Sequence, residues 1–280
     1  MGASDFNKGQ TKVWYGPALP ATQLLDGWSF SYLFFPSRGV IPMVFKVSVI
    51  IPTLNEAKYL DTTLYHLTKQ RPYEVIVADS HSKDNTRAIA KRFGCRVVDA
   101  GRSCAAGRNA GGRAARGDIL LFLDADSLIY PNLLQVLAKD FTKNKKLAGW
   151  TCKIYGFSPS WTEQVIYNAS NNLVEFLTKH VKKPHAPGIV IGVRRDVFEK
   201  TGGFDEHLKV MEDHDFALRV GKHGTFQFSK QTCVFTSTRR MDKWGGWGLI
   251  KRYSKIYLKY FINKDEFKNG VKKIPYEPIR

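Results

Sequence analysis

Between Val47 and Leu123 the sequence alternates short apolar runs with stretches of helical spacing, and nothing else constrains the fold as tightly. The runs "VSVIIP", "YEVIVAD", "CRVVDA" and "DILLFLDAD" are short and rich in branched residues, as in strands buried on both faces of a parallel sheet. Between the first two, Ala57, Leu60, Leu64 and Leu67 recur at three and four residues, the inner stripe of a helix. Asp84 to Phe93 and Cys104 to Ala115 read as two further helices. Strand and helix alternating at this pitch predict an α/β fold: a doubly wound, mostly parallel sheet with helices on both faces. Such sheets bind ligands beyond the carboxyl ends of their strands. At those ends stand "PTLNE", "DSHSKDNT" and "DADS".

The second half is less regular. Trp161 to His180 reads as helix, "GIVIGVR" as strand, "TGGFDE" as a turn, and a helix begins near Asp213. Residues 1–42 carry Gly, Pro and aromatic residues without a sustained period, and are expected to be a poorly ordered extension. "MVFKVSVIIPTLNE" would make a natural start at Met43. The expected division is therefore 1–42, a catalytic domain at 43–240 and a basic C-terminal helix and tail at 241–280. Cys95, Cys104, Cys152 and Cys233 form no CxxC pair, which argues against zinc and a disulfide framework and for a reducing, cytoplasmic setting. The most apolar early stretch is broken by Pro36, Arg38 and Pro42, so neither a signal peptide nor a spanning helix is expected.

A formal charge of +18 suits an anionic partner: nucleotide, nucleic acid or lipid head groups. Against that basic background the acids cluster. Asp124 and Asp126 follow a buried strand, where a solvated turn is one explanation and a hard divalent cation, Mg²⁺ or Mn²⁺, shared with substrate phosphates is the other. Their place at a ligand-binding edge favours the cation. Asp84 reads as the cap of the following helix and Asn55 as that of the helix after the first strand. Asp79 stands where it can accept a base N–H, and Glu56 where it can accept from hydroxyls. In "AAGRNAGGRAARGD", Gly111 and Gly112 suggest close packing, and Arg108 is placed to face a diphosphate. Glu212, Asp213 and Asp215 exceed what a helix N-terminus explains; crowding raises the pKa of an acid, which suits a general base. His185 and His214 are secondary candidates, and His66, His180 and His223 are expected at the surface.

Taken in order, "VSVIIPTLNEAKYL", "EVIVADSHSKDNT", "GRNAG", "GDILLFLDADS", "GGFDE" and "EDHDFALR" resemble glycosyltransferase family 2, nucleotide-sugar-dependent enzymes of the GT-A fold. The resemblance runs from about Val47 to Arg240. It implies that Pro52, Thr53, Glu56, Asp79 and Arg108 line the site of a UDP- or GDP-linked donor. It also implies that Asp124 and Asp126 hold ribose and metal-diphosphate, with Asp126 on the metal. Asp213 becomes the base of an inverting transfer to an acceptor hydroxyl or phosphate, with Glu212, Asp215 and His185 in support. Arg239 and Arg240 resemble the family's late basic residues near the diphosphate. One departure is Ser80, where the family often has a second acid, which leaves base preference open. A nucleotidyltransferase and a basic nucleic-acid-binding protein are the alternatives. The first lacks a glycine- and arginine-rich loop after the first strand, and the second lacks a binding motif and would need a basic groove where the acids cluster.

In "WGLIKRYSKIYLKYFI", Lys251, Lys255 and Lys259 recur every four residues beside a stripe of Ile250, Tyr253, Tyr257 and Phe261, widened by Leu249, Ile256 and Tyr260. A basic stripe beside an apolar one predicts a helix lying on the cytoplasmic membrane face, and hence a lipid-linked acceptor. Packing of that apolar stripe on the sheet is the competing expectation.

Overall fold

Side-chain alternation along the first strand, β1 (Val47–Thr53), decides the layering. Val47, Val49 and Ile51 join one core and Ile50 the other, and all four are fully buried. The structure is a computed structural model and describes residues 45–157 and 160–262; the expected extension at 1–42 and the tail beyond 262 lie outside the described residues. After β1 come α1 (Ala57–Thr68), β2 (Glu74–Asp79), α2 (Thr86–Arg92), β3 (Arg96–Asp99), α3 (Cys104–Ala114) and β4 (Ile119–Leu123). The second half adds β5 (Ser127–Ile129), α4 (Leu133–Lys143), β6 (Leu147–Gly156), α5 (Trp161–Lys179) and β7 (Val190–Arg194). Then follow α6 (Arg195–Thr201), α7 (Glu212–Val220), β8 (Thr225–Thr236) and α8 (Arg239–Ile262).

One core packs Leu60, Leu64 and Leu67 of α1 and Leu137 and Phe141 of α4 against one face of the sheet. The other packs Ala105 of α3, Phe198 of α6 and Phe216 of α7 against the opposite face. Each fully buried side chain of this kind contributes about 1.5–3 kcal/mol relative to exposure. Helices therefore cover both faces, as the strand pattern requires.

The described residues form an eight-stranded sheet ordered β3-β2-β1-β4-β7-β6-β8-β5. The N-terminal side is parallel, with Thr53 level with Asp79 and Asp79 level with Asp99, so three strands end at one edge. β7 runs antiparallel to both β4 and β6, and β6 and β8 run parallel to each other. β6 and β8 consequently deliver their carboxyl ends to the same edge as β1, β2 and β4. Antiparallel pairing of β5 with β8 sets Ser127 opposite Thr236, which brings the turn after β4 beside Ser237.

One local expectation is corrected and two are extended. Asn55 does not cap α1: it has a positive φ of 56°, and its side-chain Oδ1 accepts from Lys83 N. Asp84 serves both helices, accepting from Ala57 N at the start of α1 and from Thr86 N at the start of α2. The C-terminal segment is two helices joined at a kink at Gly245, the second agreeing with the run expected from Trp247 and the first, from Arg239, adding to it. Its expected membrane stripe partly packs inward, because Ile256 and Tyr260 are buried against Leu208 and Met211.

The glycines of α3 let the helix lie directly on the sheet. A Cβ at Gly107 would stand 2.9 Å from Pro52 Cβ, and one at Gly111 would collide with the Ile50 side chain. Alanine would gain about 1 kcal/mol in helix propensity, but the clash lies against a fully buried strand. Overpacking of this kind typically costs about 1–3 kcal/mol. Gly111→Ala is thus expected to lower the urea midpoint with an unchanged slope; a midpoint at or above wild type would show that α3 can lift off β1 at no cost.

Candidate active site

At the shared carboxyl edge the chain turns polar, and carboxylates crowd around two arginines. Arg108 projects from α3 and is 2% exposed. Its Nη1 donates to Glu212 Oε1 at 3.0 Å, and its Nη2 to Asp124 Oδ1 at 3.2 Å and to the Gly188 carbonyl at 2.9 Å. One guanidinium thus joins α3, the end of β4, the loop before β7 and the first residue of α7. Arg239, the first residue of α8, does the same on the other side. It lies 3.3 Å from Glu56 Oε1 and 3.1 Å from Asp126 Oδ2, and its guanidinium sits 5.4 Å from the Tyr59 ring centre. Ser237 donates to the same Asp126 oxygen at 2.7 Å.

The turn carrying the two aspartates is held from both sides. Asp124 N donates to the Ile189 carbonyl at 3.0 Å, and the Ala125 carbonyl accepts from Thr63 of α1 at 2.7 Å. Burial raises the Asp124 carboxyl above its usual value, with Arg108 pulling the other way. Burial likewise raises Glu56, against Arg239. For Glu212, burial first and Asp213 next push the pKa to about 7, although Arg108 opposes them. Crowded, partly desolvated acids favour whatever brings positive charge.

The other half of the edge holds Thr53 and Asp79. Asp79 is fully buried, and its oxygens accept from Thr53 Oγ1 at 3.1 Å, Ser82 N at 3.0 Å, Ser82 Oγ at 2.5 Å and Arg87 Nη1 at 3.1 Å. Burial alone would raise its pKa, but these hydrogen bonds outweigh it and hold the carboxyl below its usual value. A base N–H reaching Asp79 must therefore share or displace one of these donors. Pro52, which packs against α3, precedes Thr53 at the end of β1.

Asp213 and Asp215, two residues apart, separate in role. Asp213 Oδ2 accepts from Gly188 N at 2.6 Å and Oδ1 from His214 N at 2.7 Å, which places its carboxylate beside the Arg108 cluster. Asp215 turns away, paired with Arg219 at 2.7 Å and bonded by Tyr260 of α8 at 3.2 Å. His185 is also off the acidic edge, with Nδ1 2.5 Å from His214 Nδ1 and Nε2 2.5 Å from the Tyr257 hydroxyl. Arg240 donates to Tyr253 at 2.7 Å and lies near enough to Asp124 to favour its charge.

Sequence reasoning missed Gly188, Ser237 and Ser82. Only Gly188 carried a signal, a glycine two residues before a strand; a Cβ there would stand 2.5 Å from Arg108 Nη2 and 3.0 Å from Asp213 Oδ2. Among the described residues no group of three or more His, Cys, Asp or Glu could hold a metal alone. Asp124 and Asp126 offer hard oxygen donors on one turn, a set that fits Mg²⁺ or Mn²⁺ completed by phosphate oxygens and water.

Residues 48–202 match Glycosyl transferase family 2. The chain belongs to this family. Its membership sets the nucleotidyltransferase alternative aside. Over 193 residues it is 28% identical to an uncharacterized glycosyltransferase of Haemophilus influenzae, covering 64% of this chain and 63% of that one. Over 174 residues it is 30% identical to the glycosyltransferase AglE of Haloferax volcanii, covering 58% and 57%. The chain thus spans less than two thirds of the length of these relatives. Among solved structures it is similar to the mannosyltransferase PcManGT of Pyrobaculum calidifontis in complex with GDP-Man and Mn²⁺. The TM-score is 0.57 at 22% identity, over 68% of this chain and 56% of that one. S. aureus TarS 1–349 gives a TM-score of 0.58 at 22% identity, over 71% and 62%. The fold of the described residues is GT-A.

Glu212 gives the site a pH signature. Its carboxyl is raised from 4.5 to about 7 in the folded state. A raised pKa contributes stability that is full below about pH 4.5 and is lost as pH climbs through about 7. Glu212→Gln is therefore expected to flatten the decline in thermal midpoint across that window. An unchanged slope would show that Glu212 ionises normally beside Arg108.

Proposed function

We propose that this glycosyltransferase moves a sugar from a UDP- or GDP-linked donor to an acceptor hydroxyl or phosphate with inversion at the anomeric carbon. The observation that carries the proposal is the Arg108 junction, which brings the Asp124–Asp126 turn and the Glu212–Asp213 pair to one edge of the sheet. The donor diphosphate lies against Asp124 and Asp126, with Arg108, Arg239 and Arg240 offering charge-assisted hydrogen bonds. Pro52, Thr53, Glu56 and Asp79 form the nucleoside side of the site. A divalent cation held by Asp126 supplies Lewis-acid stabilisation of the departing diphosphate.

Asp213 is the base. An acceptor O–H attacks the anomeric carbon, and the carbon–oxygen bond to the diphosphate breaks with its electrons. Asp213 takes the acceptor proton. Two backbone N–H donors fix its carboxylate, so orientation is set before the acceptor arrives. The structures with GDP-Man and Mn²⁺ in PcManGT and with UDP-GlcNAc in TarS support the donor class, on the shared fold.

In this proposal the acceptor is lipid-linked and contact with the cytoplasmic membrane face is peripheral. No helix among the described residues is long and apolar enough to cross a membrane. Support comes from the outer face of α8, where Lys251 and Lys255 stand beside exposed Trp247 and Leu258.

UDP or GDP with Mn²⁺ is expected to raise the melting temperature of the wild type, as any ligand of the native state does. Asp126→Asn should abolish metal-dependent donor turnover while keeping the wild-type melting temperature; activity near wild type, or loss through unfolding, removes Asp126 from the metal. Asp213→Asn should lower transfer by about 10²–10⁴-fold, the span of general base catalysis, with the donor KM little changed. If donor affinity collapses while bound donor still turns over, Asp213 binds rather than abstracts.

A further inference from the structure

α5 is apolar on the side where a surface helix should be polar. Its inner face is well accounted for: Asn171 bonds both the N–H and the carbonyl of Ile154, and Val174 and Thr178 are buried against the sheet. Yet Trp161 is 75% exposed, and Val165, Leu173 and Phe176 are exposed as well. At 100° per residue, Trp161, Val165 and Phe176 fall within about 60° of arc, with Leu173 about 60° further on. Single exposed apolar residues are ordinary, but a stripe along a helix about 28 Å long is not.

α8 adjoins it. Any side chain on Gly246 would meet Ile166 of α5, so the helices touch there. On α8 the outward arc carries Trp247 at 85% exposure, Leu258 and Ile262, with Lys251 and Lys255 among them. Charge chooses the occupant. None of the exposed residues of α5 is acidic, and from Trp247 to Ile262 there is no acid at all. Exposed Lys179, Lys182 and Lys183 follow the stripe at the end of α5. A second copy of a chain with formal charge +18 would bring more positive charge to this surface, whereas an anionic bilayer complements it. Neither helix can cross a membrane, so the geometry is that of helices lying in the interface.

The same two helices border the active site. Tyr167, on the inner side of α5, packs over Gly156 beside Thr238, within electrostatic reach of Asp126 and Arg240. We propose that the outward faces of α5 and α8 form one docking surface for an anionic lipid bilayer, so that an acceptor anchored in that bilayer reaches the Asp126 edge from the membrane. This deepens the proposed transfer to a lipid-linked acceptor and rests on it only for the acceptor, not for the docking.

Sedimentation of the full chain with phosphatidylcholine vesicles, with and without phosphatidylglycerol, tests the surface. The wild type should pellet only with the anionic vesicles, and less so at high salt. V165N/F176N, on α5, and K251E/K255E, on α8, should each weaken binding by at least about tenfold. Metal-dependent donor hydrolysis without lipid should be unchanged in both, which separates failure of docking from failure of the glycosyltransferase reaction. Wild type left in the supernatant at low salt overturns the proposal, as does V165N/F176N binding like wild type. A melting temperature of V165N/F176N lowered by several degrees without lipid also overturns it, because the stripe is then covered within the fold. So does a wild-type dimer in light scattering that V165N/F176N turns into monomer.

Discussion

A buried guanidinium holds this site together. Arg108 is almost wholly removed from water, and a charge in that position is tolerated only when its donors are matched. Asp124, Glu212 and the Gly188 carbonyl match its two Nη groups, leaving Nε without a hydrogen-bond partner among the described residues, and each of the three comes from a different stretch of chain. The junction therefore fixes the distance between the Asp124–Asp126 turn and the acidic pair of α7, which no local structure could set. Its electrostatics are one-sided all the same. Burial still raises Asp124 and Glu212 above their ordinary values, so one arginine does not satisfy the acids it holds. Arg239 leaves Glu56 in the same condition. A site in which two arginines leave their carboxylates raised is one that gains from a further cation, and a metal-bound diphosphate brings one.

Strand register turns that chemistry into geometry. Thr53 and Asp79 are level because β1 and β2 pair in parallel without a slip, and their side chains bond each other at 3.1 Å. Ser237 reaches Asp126 because β5 folds back on β8 with Ser127 opposite Thr236. β7 is reversed, so it starts rather than ends at the edge, and the backbone of Gly188 and Ile189 thereby meets Arg108, Asp213 and Asp124. A single-residue slip in any of these pairings would turn the relevant side chain to the other face.

What could be read from the sequence follows from how strongly each segment is buried. β1, β2 and β4 are nearly all buried, so their apolar runs announce them, as do the leucines of α1. β6 and β8 hid because register shifts interrupt their pairing at Leu147/Gly149 and Cys152/Lys153, and because β8 is half exposed along much of its length. In the site, Asp124, Asp126 and Arg108 stood out as charges at strand and helix ends. Asp213 and Asp215 share one helix start, and their partners part them: the Gly188 backbone takes one, while Arg219 four residues on and Tyr260 of α8 take the other. Asn55 and Asp84 were both plausible caps, and the chain's path across the β1 and β2 loops gave Asp84 the two jobs.

The inner side of α8 completes the argument about its outer side. Tyr257 reaches in to His185, and His185 meets His214, whose backbone N–H is one of the two donors to Asp213. Burial and then His214 lower His185 to about 4, so near neutral pH this link does not depend on a charged His185. The strap is therefore held by hydrogen bonds and ring packing, with the His185 and Tyr257 ring centres 5.4 Å apart and those of the two histidines 4.6 Å apart. The proposed base is thus positioned by the helix whose opposite face carries the lysines. In the membrane-bound state proposed here, α8 would carry lipid contact on one side and the alignment of Asp213 on the other. Its first residue already holds Glu56 and Asp126 through Arg239, so α8 reaches the Asp126 side of the site as well as the Asp213 side.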